Sequence, residues 1–167
     1  MMCVVDDDGQ PHIVDQATLT AVMDGWPRTT ATPSGPADLL AAARSMVLTS
    51  LITYEQLAVA AFISLTAVEA ALRHRLRLAG EPSTDRNGRE LTWQALVDRC
   101  AKHGLIAKGP DRATSEDIWT TGRRLRNTFA HPEDQVRLTY GMALPMLRTS
   151  HLLVAEVFPD PPASGVV

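Results

Sequence analysis

The chain has 167 residues and a formal net charge of −3 at pH 7, with 45% hydrophobic and 21% charged residues. This length is sufficient for one domain that buries its core without disulfides or metal. The acidic balance argues against a protein that coats nucleic acid non-specifically, because such binding rests on many phosphate contacts, but it leaves room for a local basic site.

Neither the cysteines nor the apolar runs point to an extracellular or membrane protein. Cys3 and Cys100 are far apart in sequence and have no neighbouring ligand pattern, which predicts neither a disulfide framework nor a zinc site. The start of the chain has no basic region followed by an apolar run, so it does not resemble a signal peptide. We also expect no segment that lacks charge for long enough to span a membrane. The sequence therefore predicts a cytoplasmic protein without a membrane partner.

Residues 1–35 differ in composition from the rest of the chain. Two short apolar runs, Cys3-Val4-Val5 and His12-Ile13-Val14, flank Asp6-Asp7-Asp8-Gly9, which is typical of a β-hairpin with a glycine-containing turn. The three aspartates lack the alternating oxygen ligands and the closing glutamate of a calcium loop, so we interpret them as a solvated turn. Thr29 to Pro36 has the composition of a linker.

The pattern becomes helical from Pro36 onward. A proline and an acid, Pro36-Ala37-Asp38, begin an apolar run that ends near Leu51. A second, longer helix is predicted from about Thr53 to about Ala79, because apolar residues recur every three or four positions along it. At about 1.5 Å per residue this helix is nearly 40 Å long, which predicts the central rod of the domain.

The last turns of the second helix carry a basic cluster, formed by Arg73, His74, Arg75 and Arg77. Cations at a helix C-terminus complement the negative end of its dipole, and this is the favoured interpretation of the cluster. The alternative is a patch that faces phosphate, with Arg73 and Arg77 as its contacts. Glu69 lies four residues before Arg73, a spacing at which the two side chains can pair.

Two further helices, the third and the fifth, are predicted before and after the segment that contains the fourth. A polar loop over residues 79–90 precedes a third helix over residues 91–103, and Gly104 follows it as a left-handed stop. A fifth helix is predicted from residue 139 to about residue 158. Pro145 should kink that helix, because proline removes a backbone donor and clashes with the preceding turn.

The fourth helix carries the densest group of polar side chains. It is predicted to begin at the cap Thr114-Ser115-Glu116-Asp117 and to end at His131, because Pro132 disfavours the α conformation in the residue before it. One face is apolar, and a second face that projects away from the core gathers Arg124, Asn127 and His131. Arg126 and His131 are five residues apart, about 140° around an ideal helix, so either the helix end redirects His131 or a second chain completes the site.

The stretch Arg126-Asn127-Thr128-Phe129-Ala130-His131 resembles the signature of the HEPN family (higher eukaryotes and prokaryotes nucleotide-binding domains), in which an arginine, often followed by asparagine, precedes a histidine by a few residues. The helices predicted over residues 37–158 are also similar to those of bacterial HEPN-type proteins. The resemblance implies an all-α fold, an up-and-down bundle of four to five helices over residues 36–158. The extension over residues 1–35 precedes this bundle, and a flexible tail over residues 159–167 follows it.

The resemblance also implies an activity, that of a metal-independent endoribonuclease of the toxin or phage-defence kind, which uses no cofactor. In this activity His131 is the general acid or base, Arg126 holds and polarises the scissile phosphate, and Asn127 orients the imidazole or the phosphate. Histidine transfers protons near neutral pH, and an arginine fork matches phosphate oxygens. The remaining candidate contacts to RNA phosphates are arginines of the fourth and second helices: Arg123, Arg124, Arg73 and Arg77.

Family nucleases act as dimers whose two motifs face each other across a shared cleft. The resemblance therefore implies a homodimer with a composite site at the Arg126 and His131 helix ends, RNA as substrate, and an antitoxin protein as a further partner. Two alternatives stay open. One is a non-catalytic HEPN-type module that binds RNA, a nucleotide or a protein. The other is a helical scaffold in which these side chains only cap carbonyls and complement the helix dipole.

Other residues give weaker signals. The serines have no nucleophile-elbow context, and no glycine-rich phosphate loop is present. The remaining histidines lack the spacing of metal ligands and are interpreted as surface or core residues: His12, His74, His103 and His151. The tryptophans are interpreted as core anchors, although Trp119, one turn before Arg123, is also placed to flank a base: Trp26, Trp93 and Trp119.

Overall fold

A computed structural model of the chain describes residues 3–5, 11–106, 119, 127 and 138–161. These residues form two short strands and five helices, and Trp119 and Asn127 also have helical conformation. The predicted all-α character is confirmed. The elements in chain order are β1 (Cys3–Val5), β2 (Pro11–Ile13), α1 (Gln16–Asp24), α2 (Ser34–Thr49), α3 (Gln56–Leu78), α4 (Trp93–Lys102) and α5 (Tyr140–Val157).

The N-terminal region contains a helix that the sequence analysis did not predict. β1 and β2 pair in antiparallel fashion, and residues 6–10, where the turn of a hairpin was predicted, lie outside the described part of the chain. α1 follows, with Asp15 as its cap: the carboxylate accepts a hydrogen bond of 2.7 Å from the backbone N–H of Thr18. Leu19 and Met23 of α1 are buried. Residues 16–24 therefore contribute to the core.

α3 is the central helix, as predicted from its apolar periodicity. It packs against α2, α4 and α5, and its 23 residues span about 35 Å. Gly80 ends it in the left-handed conformation, with φ +73°. The N–H of Glu81 donates to the carbonyl of Leu76 at 2.9 Å, which completes a Schellman motif. α4 ends in the same way at Gly104, with φ +65°, so the predicted left-handed stop is confirmed.

Two apolar clusters lie along α3. One joins its C-terminal half to α4 and to the end of α5, and the other joins its N-terminal half to α1, α2 and the start of α5. Where α3 and α5 meet, the buried hydroxyls of Ser64 and Ser150 lie 3.0 Å apart and share a hydrogen bond. The two clusters therefore form a helical bundle with α3 and α5 common to both.

α3 is also the one described helix that is long and apolar enough to cross a membrane by length and composition. The mean hydropathy of its most apolar 18-residue window is 1.4, and half of that window is buried inside the protein. The central helix of a soluble bundle passes the same test, because it is apolar on every side that packs. This property is accordingly weak evidence for a membrane span.

Candidate functional site

The structure describes one residue of the predicted motif. Asn127 has helical conformation, and its side chain is exposed. Arg123, Arg124, Arg126 and His131 lie outside the described residues, so the roles that the sequence assigns to them stay predictions. The exposed, helical Asn127 agrees with a polar helix face that projects away from the core.

Trp119 connects this part of the chain to the bundle. It is 3% exposed and belongs to the apolar cluster of α3, α4 and α5. The indole N–H of Trp93 donates to the backbone carbonyl of Trp119 at 3.2 Å. The prediction that Trp119 is a core anchor is confirmed, and its burial leaves no ring face for the alternative role of stacking on a base.

The basic end of α3 is engaged in contacts within the chain. Arg73 forms an ion pair with Glu90 and donates to the carbonyl of Leu91 at 3.0 Å. It also lies 3.9 Å from Glu69, the predicted helix-face pair. Arg73 thus ties α3 to the loop before α4, and these contacts compete with its predicted role at phosphate. Arg77 is exposed in the last turn of α3.

The histidines that the structure describes on α3, after α4 and on α5 have separate surroundings. The ring of His74 packs edge-on against Phe158, with centroids 5.9 Å apart, and His103 lies 3.4 Å from a carboxylate oxygen of Glu81. Within the described ranges, no group of three or more histidine, cysteine or carboxylate side chains is arranged to hold a metal ion.

A cavity that the sequence analysis did not predict lies beside His151. It has a volume of about 460 Å³ and is bounded by α1, α2, α5 and the loop between α1 and α2. We call it the His151 cavity. Its apolar wall comes mainly from Met23, Leu40, Leu48 and Val154, its cations are Arg28 and Arg44, and hydroxyl groups come from Thr20, Thr29, Thr32 and Ser45.

His151 is a neutral hydrogen-bonding group in the wall of this cavity. It is 3% exposed, and its ring packs against Trp26 at a centroid distance of 5.2 Å. Nδ1 lies 3.2 Å from the carbonyl oxygen of Pro27. Because a carbonyl only accepts, Nδ1 carries the proton and Nε2 keeps its lone pair. Nε2 is buried and has no hydrogen-bond partner.

Two arginines place positive charge at the same cavity. The Asp24 carboxylate accepts from Arg44 at 2.7 Å and from Arg28 at 2.8 Å, and these two hydrogen bonds lower the pKa of Asp24. Arg44 also donates to the carbonyl of Met23, and its guanidinium lies 5.9 Å from the ring centroid of Trp26. One carboxylate shared by two guanidinium groups leaves an excess of one positive charge.

The loop that borders the cavity is held by the segment after α5. The backbone N–H and the hydroxyl of Thr30 donate to the Asp160 carboxylate at 2.7 and 2.8 Å. Within the loop, the hydroxyls of Thr29 and Thr32 lie 2.7 Å apart. The segment after α5 therefore fixes the loop that carries Pro27 and Arg28.

Burial of His151 predicts that the protein loses stability in acid. Burial lowers the pKa of His151 to about 4, and the nearby Arg44 and Arg28 act in the same direction against the hydrogen bond to Pro27. The unfolded chain has a histidine pKa of about 6.5 and so binds a proton between about pH 6.5 and 4 that the folded protein does not bind. The free energy of unfolding is therefore expected to fall as the pH drops through this window, by about 3 kcal/mol in all.

Urea denaturation of the parent and of a His151→Phe variant at pH 7.0, 5.5 and 4.5 checks this expectation. The variant should lose this part of the pH dependence, because phenylalanine does not titrate. A His103→Gln variant is the matched control and should keep it. The same slope in His151→Phe as in the parent would show that His151 is not the titrating group.

The described structure thus offers two candidate sites of different kinds. One is the predicted polar helix face that includes the exposed Asn127, whose chemistry rests on the sequence motif. The other is the His151 cavity, whose residues are in place in the structure. Comparison of the chain with protein-family models, with curated proteins and with solved structures finds no match.

Proposed function

We propose that the chain is a HEPN-like endoribonuclease that cleaves RNA without a metal and acts as a homodimer. The observation that carries the proposal is the stretch from Arg126 to His131 in a helical bundle, with Asn127 helical and exposed. An exposed asparagine next to Arg126 and four residues before His131 can touch the imidazole along one helix face. The proposed fold is the up-and-down HEPN-like bundle.

The position of Trp119 supports the proposal of a site that is anchored to the core and open to solvent. Trp119 is buried against α3, α4 and α5, whereas Asn127, eight residues later, is exposed. The segment is therefore tied to the core at one point and reaches solvent at another. A site that binds a large substrate such as RNA needs both a fixed base and an open face.

The proposed reaction is an attack of the ribose 2'-oxygen on the adjacent phosphorus. A base removes the 2'-hydroxyl proton while the bond from the 2'-oxygen to phosphorus forms, and an acid gives a proton to the 5'-oxygen as its bond to phosphorus breaks. His131 transfers one of these protons, and Arg126 stabilises the charge that develops on the phosphate oxygens. The products are a 2',3'-cyclic phosphate and a 5'-hydroxyl.

A homodimer resolves the angular separation of the two side chains. Arg126 and His131 project about 140° apart on an ideal helix, so one chain's arginine is proposed to serve the other chain's histidine. Two arginine clusters then meet at one cleft, which concentrates positive charge locally although each chain has a net charge of −3. A toxin or phage-defence role, with an antitoxin protein as partner, is part of this proposal.

The test is to incubate total RNA with the purified parent in a metal chelator. We expect cleavage that leaves 2',3'-cyclic phosphate ends, whereas a His131→Ala variant prepared in parallel leaves the RNA intact. Loss of activity in chelator, or products with 5'-phosphates, would contradict the proposed chemistry. Equal cleavage by the parent and by His131→Ala would indicate a contaminating nuclease or a different active site.

A non-catalytic HEPN-type module is the second candidate function. One observation counts against the phosphate contacts on which cleavage relies: Arg73, a predicted phosphate contact, is engaged with Glu90 and with backbone carbonyls. A module of this kind binds RNA, a nucleotide or a protein without cleaving it. Binding of RNA by the parent without cleavage, measured by fluorescence polarisation in the same chelator buffer, would decide in its favour.

A further inference from the structure

We propose that the His151 cavity binds a small organic monoanion that consists of a carboxylate on an apolar body. The residues that line this cavity belong to α1, α2, α5 and the loop between α1 and α2, and none of them belongs to the proposed ribonuclease motif. The inference does not depend on RNA cleavage. It rests on the size of the cavity and on its charge.

The size and walls of the cavity suit the apolar part of such a ligand. Its volume of about 460 Å³ lies within the range of about 300–1,000 Å³ that is typical of small-molecule sites. Leu40 and Val154 line it from two different helices and are nearly fully buried. A chain or ring of several carbons that enters the cavity therefore exchanges water for apolar side chains on both sides.

The charge of the cavity favours a ligand of negative charge. Arg28 and Arg44 both line it, and they share the single carboxylate of Asp24. Arg44 is 17% exposed and therefore largely shielded from solvent, which strengthens its attraction for an anion. A guanidinium has five N–H donors, and the hydrogen bonds of Arg44 to Met23 and Asp24 use two of them. The remaining N–H groups can donate charge-assisted hydrogen bonds to a carboxylate.

His151 bears on the charge of the ligand and not on its hydrogen bonds. Its Nε2 lone pair is buried without a hydrogen-bond partner, but a lone pair and a carboxylate oxygen both accept, so they form no hydrogen bond with each other. Neutral His151 adds no charge of its own, so the excess remains one positive charge, which fits a monoanion better than a phosphate dianion.

Calorimetric titration with two probes of the same shape tests the proposal on the full chain. Sodium octanoate carries the carboxylate, and octanamide carries an uncharged amide in its place. We expect octanoate to bind about tenfold more tightly than octanamide, because the charge-assisted pair with arginine is lost in the amide. Equal affinity for both probes, or no binding of either to the folded protein, would overturn the proposal.

Variants locate the binding in the cavity. Arg44→Met is expected to weaken octanoate about tenfold and to leave octanamide unchanged, whereas Arg148→Met is the matched control, since Arg148 is exposed on α5 and does not line the cavity. Ala41→Trp, which fills the cavity from an exposed position on α2, should remove the binding of both probes. An equal loss in Arg148→Met and Arg44→Met, or full binding in Ala41→Trp, would place the probe elsewhere.

Arg44 also has a structural role through Asp24 and Met23, so its replacement can impair folding. Arg28→Gln gives a second measurement that does not share this risk, because the Arg28 side chain is 56% exposed. It should weaken octanoate by a few fold, about what one exposed cation contributes. Unchanged octanoate affinity in Arg28→Gln together with Arg44→Met would exclude recognition by charge.

Discussion

A mixture of Arg126→Ala and His131→Ala protomers is expected to recover about a quarter of the parental RNA-cleaving activity, although each variant alone should be at least about a hundredfold slower. The expected loss in each variant follows from the chemistry. Without His131 the proton transfer at one oxygen has no catalyst, and without Arg126 the charge that develops on phosphate is unshielded.

The recovery follows from the symmetry of the proposed dimer. Each of its two sites takes Arg126 from one chain and His131 from the other. In a mixed dimer, both substitutions fall in one site and the other site is intact. Random assortment makes about half of the dimers mixed, each with one working site in two, which gives the expected quarter.

Co-expression of the two variants with different affinity tags isolates the mixed dimer directly. An Arg148→Ala protomer mixed with the parent is the matched control and should be fully active, since Arg148 lies on an exposed face of α5. A mixed dimer as inactive as the two single variants would mean that each active site takes both residues from one chain. If each single variant were as active as the parent, the ribonuclease proposal would be contradicted.

The helices of the bundle could be predicted because their signals are local. Periodic leucines and a downstream glycine placed α3 and α4 within a few residues of their observed bounds, Gln56–Leu78 and Trp93–Lys102. α1 was missed because only Leu19 and Met23 of its nine residues are buried. Two apolar residues give no recognisable period, and the cap at Asp15 becomes evident only when the helix is known.

The His151 cavity could not be predicted in the same way, because its properties arise from tertiary contacts. Pro27 and His151 are 124 residues apart in sequence and meet in one hydrogen bond. No local sequence pattern predicts a contact between residues so far apart. One signal was present in the sequence: Arg44 lies four residues after Leu40 and so shares its helix face. A cation on an apolar face indicates an ion pair, a ligand or both, and here Asp24 supplies the pair.

For the motif, the assignments come from the sequence. Arg126 and His131 are assigned by spacing and by resemblance, and Asn127 is the motif residue for which the structure describes an environment. A buried Trp119 and an exposed Asn127, both in helical conformation, are what an amphipathic pattern predicts. The pairing of two such helices across a dimer depends on a second chain, which no single sequence reveals.

Replacement of Leu72 by alanine is expected to lower the free energy of unfolding by about 2–5 kcal/mol, whereas the same replacement at Leu78 should change it by less than about 0.5 kcal/mol. Both residues belong to α3, but Leu72 is fully buried and Leu78 is 65% exposed. The same side chain is truncated at both sites, and leucine and alanine differ little in helix propensity, so the difference reports mainly the effect of burial. Urea denaturation of the two variants measures it.

The Leu72 variant also tests whether the core supports the proposed active site. Leu72 belongs to the same apolar cluster as Trp119, and its backbone carbonyl lies 3.8 Å from the thiol sulfur of Cys100 on α4. A cavity at Leu72 loosens this cluster and with it the anchor of the segment that carries Asn127. RNA cleavage by Leu72→Ala should therefore fall more steeply on warming than cleavage by Leu78→Ala. Identical temperature profiles for the two variants would show that the site is supported independently of this part of the core.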